Sequence, residues 1–116
     1  MTTDFGSLKI SYTLRKGKFR LPSSNAIQCL DSLMLKFPLT LRVWKAGDYF
    51  YPLGMEHRKK LSDFFIDRKV NLFDKENICV LTSENKIVCI LGHRIDDRFK
   101  VTEETKKIYQ VEMKYR

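Results

Sequence analysis

Ile78-Cys79-Val80-Leu81-Thr82-Ser83-Glu84-Asn85-Lys86-Ile87-Val88-Cys89-Ile90-Leu91 is the stretch that decides the fold. Two short, almost wholly apolar runs flank four polar residues. Runs that are apolar on both faces belong in the interior of a sheet, where each face is covered. Asn85 tolerates positive φ, so residues 83–86 read as the connection of a β-hairpin. Pairing Thr82 with Ile87 sets Val80 opposite Cys89 and Cys79 opposite Ile90. In that register the two thiols point to opposite faces and cannot bridge.

Working outward, residues 92–99 read as a continuation of the second strand, with Arg94, Asp96 and Arg98 on one face. Ile108, Gln110 and Glu112 then alternate against Tyr109, Val111 and Met113 in a last strand. Toward the other end, Leu8, Ile10, Tyr12 and Leu14 share one face of an alternating strand. The basic run Arg15-Lys16-Gly17-Lys18-Phe19-Arg20 and a turn at residues 22–25 follow it. Residues 26–35 read as a short strand and a turn of helix. Leu39-Thr40-Leu41-Arg42-Val43-Trp44 alternates again until Gly47-Asp48 breaks it. Residues 49–55 form an aromatic loop, because Pro52 bars a central sheet position. Leu61, Phe64, Phe65 and Arg68 fall at i, i+3, i+4 and i+7, which predicts one helix over residues 60–69. The order of elements is that of an α+β domain: a mixed, mainly antiparallel sheet with one clear helix, in a single domain over residues 1–116.

Composition bounds the function. Hydrophobic residues make up 43% and aromatics 12% of the 116 residues, too many for a disordered chain. No apolar run approaches the length of a membrane span, so no membrane is expected as a partner. Asp4 and Gly6 interrupt the opening residues, so no signal peptide is expected. Lys and Arg number 22 against 14 acids, a formal charge of +8. Such a field draws phosphate-rich partners; it equally suits a basic domain balanced by acidic ones elsewhere. Cys29, Cys79 and Cys89 form no CxxC, and His57 and His93 lie far apart. That pattern argues against a disulfide scaffold or a zinc site and for a reducing, cytoplasmic compartment with the thiols as core residues.

Enzyme signatures are missing. The five glycines are isolated, so no Gly-rich phosphate loop forms, and there is neither GxSxG nor HExxH. Asp48 and His57 are an acid and a base with no spacing that pairs them; a turn aspartate and an exposed histidine explain them as well. The expectation is no catalytic, cofactor or metal residue.

The cations carry more. Arg58-Lys59-Lys60 stands just before or inside the first helical turn, where the macrodipole disfavours positive charge. Such a cluster either attracts a phosphate to the helix start or is simply a solvated run. Tyr49, Phe50, Tyr51 and Trp44 offer rings for base stacking, or a plain core. Arg94, Asp96 and Arg98 either orient one another by bidentate pairing or present guanidinium forks to a backbone phosphate. Arg98 and Lys100 extend the basic surface either way.

Three blocks in this order resemble one family: Gly47-Asp48-Tyr49-Phe50-Tyr51-Pro52-Leu53-Gly54-Met55, Lys59-Lys60-Leu61-Ser62-Asp63-Phe64-Phe65-Ile66-Asp67, and Gly92-His93-Arg94-Ile95-Asp96-Asp97-Arg98-Phe99-Lys100-Val101-Thr102. The chain, most strongly over residues 41–107, is similar to the C-terminal domain of tRNA(Ile)-lysidine synthetase. That family ligates lysine to the wobble cytidine of a tRNA(Ile) with anticodon CAU, after ATP activates the base. ATP and lysine are used by an N-terminal domain with an SGGxDS loop, which this chain lacks, so the resemblance implies an inactive fragment with no cofactor of its own. It also implies a fold shared with a module of the phenylalanyl-tRNA synthetase β subunit, contact with the tRNA acceptor stem, and the catalytic domain of the same chain as a neighbour. Lys59, Lys60 and the 94–100 block would lie near that stem. His57-Arg58 stands where the family has a small pair. The expected tRNA-binding set is Arg58, Lys59, Lys60, Arg94, Arg98 and Lys100. The competing readings are a structural domain packed on the catalytic part of its own chain, and a small enzyme using Asp48, His57 or the 94–98 block.

Overall fold

The computed structural model describes residues 2–5, 8–16 and 27–115. Ten strands are set out along them: β1 (Thr2–Phe5), β2 (Leu8–Lys16), β3 (Ile27–Asp31), β4 (Thr40–Val43), β5 (Tyr49–Phe50), β6 (Lys59–Lys60), β7 (Cys79–Ser83), β8 (Lys86–Ile90), β9 (Arg94–Ile95) and β10 (Lys107–Tyr115). Helix α1 spans Leu61–Asp67 and α2 spans Leu72–Lys75. The basic run at 15–20 and the turn at 22–25 fall wholly or partly on residues 17–26, outside the described ones.

The α+β class and the antiparallel pairing hold, but the strands divide between two sheets and a ribbon. The first sheet runs β1-β2-β10-β3, the second β4-β7-β8-β9, and β5 pairs with β6. Every one of these pairings is antiparallel.

The β7–β8 hairpin is covered on both sides, as its apolar faces require. Cys79, Leu81, Val88, Cys89 and Leu91 meet Leu30, Tyr109 and Val111 of the first sheet. Ile78, Val80, Ile87 and Ile90 meet Phe50 and Leu61, Phe64 and Phe65 of α1. The order of layers is therefore sheet, sheet, helix with ribbon. Glu84 and Asn85 take φ of 49° and 66°, the paired left-handed turn that suits a twisted hairpin.

The register differs from expectation over half the hairpin. Thr82 pairs with Ile87 as predicted, but Leu81 faces Cys89 and Val80 faces Ile90. A bulge adds Val88 to one strand and shifts everything beyond it by one residue. Cys79 and Cys89 consequently face the same core rather than opposite faces. All three cysteines are buried, and none is in a disulfide.

The expected long strand over 92–99 is also broken up. Gly92 turns at φ +77°, and a Cβ there would meet the end of the Met113 side chain. The chain reverses into the short β9, which pairs back on β8, and a 3-10 turn follows at Asp97–Phe99. Helix α1 buries Leu61, Phe64 and Phe65, the stripe its spacing predicts. It stops where Lys69 takes φ 56° and the Val70 N–H donates to the Phe65 carbonyl, a left-handed C-terminal cap.

One buried side chain staples the two sheets. Gln28 of β3 donates from Nε2 to the Ile90 carbonyl at 2.9 Å and accepts from the Gly92 N–H at 3.2 Å. Gln28→Leu leaves both backbone groups without a partner, and about 2–3 kcal/mol of stability should be lost in urea unfolding. An unchanged midpoint would show that water replaces both bonds.

Candidate nucleic-acid interface

A buried carboxylate helps to join the ribbon β5–β6 to the edge of the second sheet. Asp96 is 0% exposed, and its two oxygens accept four hydrogen bonds. Oδ1 takes the Arg98 N–H at 2.8 Å and Nε at 3.0 Å; Oδ2 takes Arg98 Nη2 at 3.0 Å and the Tyr51 N–H at 2.9 Å. Those four bonds use the full accepting capacity of a carboxylate. The backbone adds to this: Asp97 N–H donates to the Tyr51 carbonyl and Leu53 N–H to the Ile95 carbonyl. The 51–53 segment thus covers the β9 edge, and Pro52, which has no N–H to give, bridges Asp96 there.

Ribbon register then sorts the side chains. Tyr49 stands opposite Lys60 and Phe50 opposite Lys59, and directly opposed residues share a face. Phe50 turns inward against Phe64, ring centroids 5.2 Å apart. Tyr49, 45% exposed, turns outward with Lys60. The Arg58 guanidinium lies over the Tyr49 ring at 4.9 Å and that of Arg98 over Tyr51 at 4.4 Å. Stacked guanidinium and aromatic planes of this kind are held in place by cation–π attraction. Hydrogen bonding to Asp96 raises the Arg98 pKa further.

Of the six cations predicted from sequence, Arg58, Lys60 and Arg98 share this outward face. Lys59 is on the other side and reaches Asp67 of α1. Arg94 also leans toward the helix, its guanidinium 5.5 Å from the Phe64 ring, with Arg68 at 5.3 Å from the same ring. Lys100 pairs with Asp97 at 3.1 Å beside the Gly54 turn. Arg58, Lys60 and Arg94 have no acidic partner among the described residues. The Arg94, Asp96, Arg98 face expected on one strand does not form, because β9 ends at Ile95 and Asp96 caps the 3-10 turn at Asp97–Phe99; the bidentate Arg98–Asp96 pair does.

The phosphate site expected at the start of α1 is not carried by the structure. The helix has seven residues, and its Leu61 N–H already donates to the Asp48 carbonyl at 3.0 Å. Asp48 itself is engaged by Arg42 at 2.9 and 3.0 Å and by the Lys45 N–H. Burial pushes its carboxyl up, but those hydrogen bonds outweigh burial and hold it below the ordinary value. A carboxylate so engaged is no general base, and nothing joins it to His57. Burial, with Arg68 nearby, holds His93 below 6.5. Burial pushes the Cys89 thiol up to about 12, which leaves no thiolate for nucleophilic work. Gly47, Gly54 and Gly92 turn the chain at positive φ at three separate places. No three His, Cys, Asp or Glu among the described residues are grouped to hold a metal ion. No helix among them is long and apolar enough to cross a membrane.

Sequence reasoning missed Lys86 and Asn85. The hairpin tip brings them beside Gly47, Asp48, Tyr49 and Arg98 around a small open recess. A lysine in a turn gives no local signal of that placement. Asp96→Ala should free Arg98 and unhook the ribbon, at a cost of about 2–4 kcal/mol, since a third of Arg98 already reaches water. The check is chemical denaturation together with the Tyr51 and Arg98 amide shifts. A stable variant with unmoved amides would show that Asp96 does not hold the ribbon.

Comparison with known proteins agrees with this architecture. The family model described as the TilS substrate C-terminal domain matches residues 39–113. A tRNA(Ile)-lysidine synthase of Parabacteroides distasonis is 47% identical over 90 residues, covering 78% of this chain and 20% of that protein. One of Bacteroides thetaiotaomicron is 39% identical over 90 residues, covering 78% of this chain and 21% of that protein. The chain therefore spans about a fifth of the length of these relatives. A crystal structure of a TilS C-terminal domain superimposes with a TM-score of 0.80 at 16% identity, covering 94% of this chain and 85% of that one. An N-terminal fragment of the phenylalanyl-tRNA synthetase β subunit from Pyrococcus horikoshii gives 0.68 at 17%, covering 78% and 28%. Those two likenesses speak to the fold; the sequence matches go further, and place this chain in the family of TilS C-terminal domains that tRNA(Ile)-lysidine synthases carry.

Proposed function

We propose that this chain is the tRNA-binding part of a tRNA(Ile)-lysidine synthase and that it grips the acceptor stem. The observation that carries the reading is the outward face of the ribbon, where Arg58, Lys60 and Arg98 stand together among Tyr49 and Tyr51. Arg98 spends one edge of its guanidinium on Asp96 and keeps its charge and its other edge. Acceptor-stem RNA is A-form, and its deep, narrow major groove hides base edges, so recognition runs through shape, phosphates and 2′-hydroxyls. A rigid cationic face suits that work. Lys59 and Arg94 lie toward α1 and Lys100 beside the Gly54 turn; the exposed pairs Lys59–Asp67 and Lys100–Asp97 are weak enough to exchange an acid for a phosphate. Ligation of lysine to the wobble cytidine of the CAU anticodon, with ATP, is then the work of the remaining four-fifths of the protein, in the cytoplasm.

A second reading has its own observation. Leu72 and Phe73 of α2 are 71% and 78% exposed, which suits packing against another domain of the same protein. The two readings use different faces and separate experimentally. Binding of tRNA(Ile) should weaken steeply with salt. Arg58→Ala with Lys60→Ala should flatten the logarithmic salt slope by about one to two units; Lys100→Ala should change it less. An unchanged slope in the double variant, or affinity only for the isolated catalytic domain, would contradict the RNA reading.

A further inference from the structure

The recess at the hairpin tip has walls from three elements. Gly47, Asp48 and Tyr49 form one, Asn85, Lys86 and Ile87 of the β7–β8 turn a second, and Arg98 the third; the space is about 90 Å³ and open on one side. Its charge is positive. Lys86 is exposed, with no acidic partner among the described residues, and Arg98 is fixed in place by Asp96. The one acid in the wall, Asp48, is already matched by Arg42. Asn85 adds a carboxamide with no hydrogen-bond partner among the described residues. Immediately beside this anion-sized hollow stands the exposed Tyr49 ring with the Arg58 guanidinium over it.

A hollow lined by cations suits a phosphate, and an exposed ring in a guanidinium stack suits a planar base. A nucleotide supplies both groups at adjoining positions. A nucleotide in the interior of a duplex cannot do so, because its base is already stacked on both faces. From this juxtaposition we infer that the recess is a subsite for one unpaired nucleotide next to a duplex, its phosphate between Lys86 and Arg98 and its base stacked on Tyr49. The inference rests on the RNA-binding reading and adds to it a preference for a junction between paired and single-stranded RNA. The cationic face reads the duplex by shape, and the recess fixes where along the duplex the chain sits.

The test titrates the 116-residue chain with two RNAs. One is a hairpin with a blunt duplex end; the other is the same hairpin with a short unpaired 3′ tail whose first base is the fluorescent 2-aminopurine. The tailed RNA should bind about tenfold more tightly, with its fluorescence quenched by stacking. Tyr49→Ala and Lys86→Ala should each remove the difference between the two RNAs, and Tyr49→Phe, which keeps the ring, should retain it. Equal affinity of the unaltered chain for both RNAs would overturn the subsite and leave the RNA reading standing. So would a preference that survives both alanine variants. If neither RNA binds, the RNA reading falls and the subsite with it.

Discussion

A buried carboxylate that accepts four hydrogen bonds holds the outward cationic face in place. Asp96 sits at the end of β9 with no exposure to water, and everything outward of it is positioned by what it accepts: the Tyr51 N–H from the ribbon and three donors from Arg98. Burying a charge is costly unless it is paired and fully hydrogen-bonded. Here the four hydrogen bonds and the Arg98 charge offset the desolvation of Asp96, and the rotamer entropy of the arginine is lost on folding rather than on binding. The result is a guanidinium presented in one orientation over Tyr51, already ordered before any partner arrives. Preorganisation of that kind reduces the entropy lost on binding.

The rest of the fold serves as a support for that arrangement. The β7–β8 hairpin lies between two layers, and its Ile90 carbonyl is stapled to the first sheet through Gln28. On its other face Phe50 locks the ribbon to α1 by an edge-to-face contact with Phe64. Because Phe50 is buried, its neighbours Tyr49 and Tyr51 must face outward; the alternation of a two-residue strand is enough to set the polarity of the site. That the fold is kept at 16% identity in a solved TilS C-terminal domain fits a structure specified by pattern more than by individual side chains.

Some of this was legible in the residues and some was not, for physical reasons. The burial of 78–91, the α1 stripe and the turn at Glu84-Asn85 follow from periodicity and turn chemistry. The bulge at Val88 does not, because a strand apolar on both faces carries no cue to its register. Arg94, Asp96 and Arg98 have the spacing of a strand face, yet the strand ends at Ile95 in a 3-10 turn capped by Asp96, and Arg94 lies over Phe64. The three blocks that resemble the family marked the lysines, but residues 49–55 read as an aromatic loop where Tyr49–Phe50 in fact pairs with Lys59–Lys60. They did not separate Lys59 from Lys60, since only pairing register decides which of two adjacent lysines faces out. Lys86 was invisible, because its importance arises from a tertiary approach of two turns distant in sequence.

The most direct measurement of the central claim is amide hydrogen exchange of the chain with and without a tRNA(Ile) bearing the CAU anticodon. The account predicts added protection over residues 47–60, 84–87 and 96–100, the segments that build the outward face around Asp96. Protection confined to α2 or to the first sheet, with these segments unchanged at saturating tRNA, would contradict it.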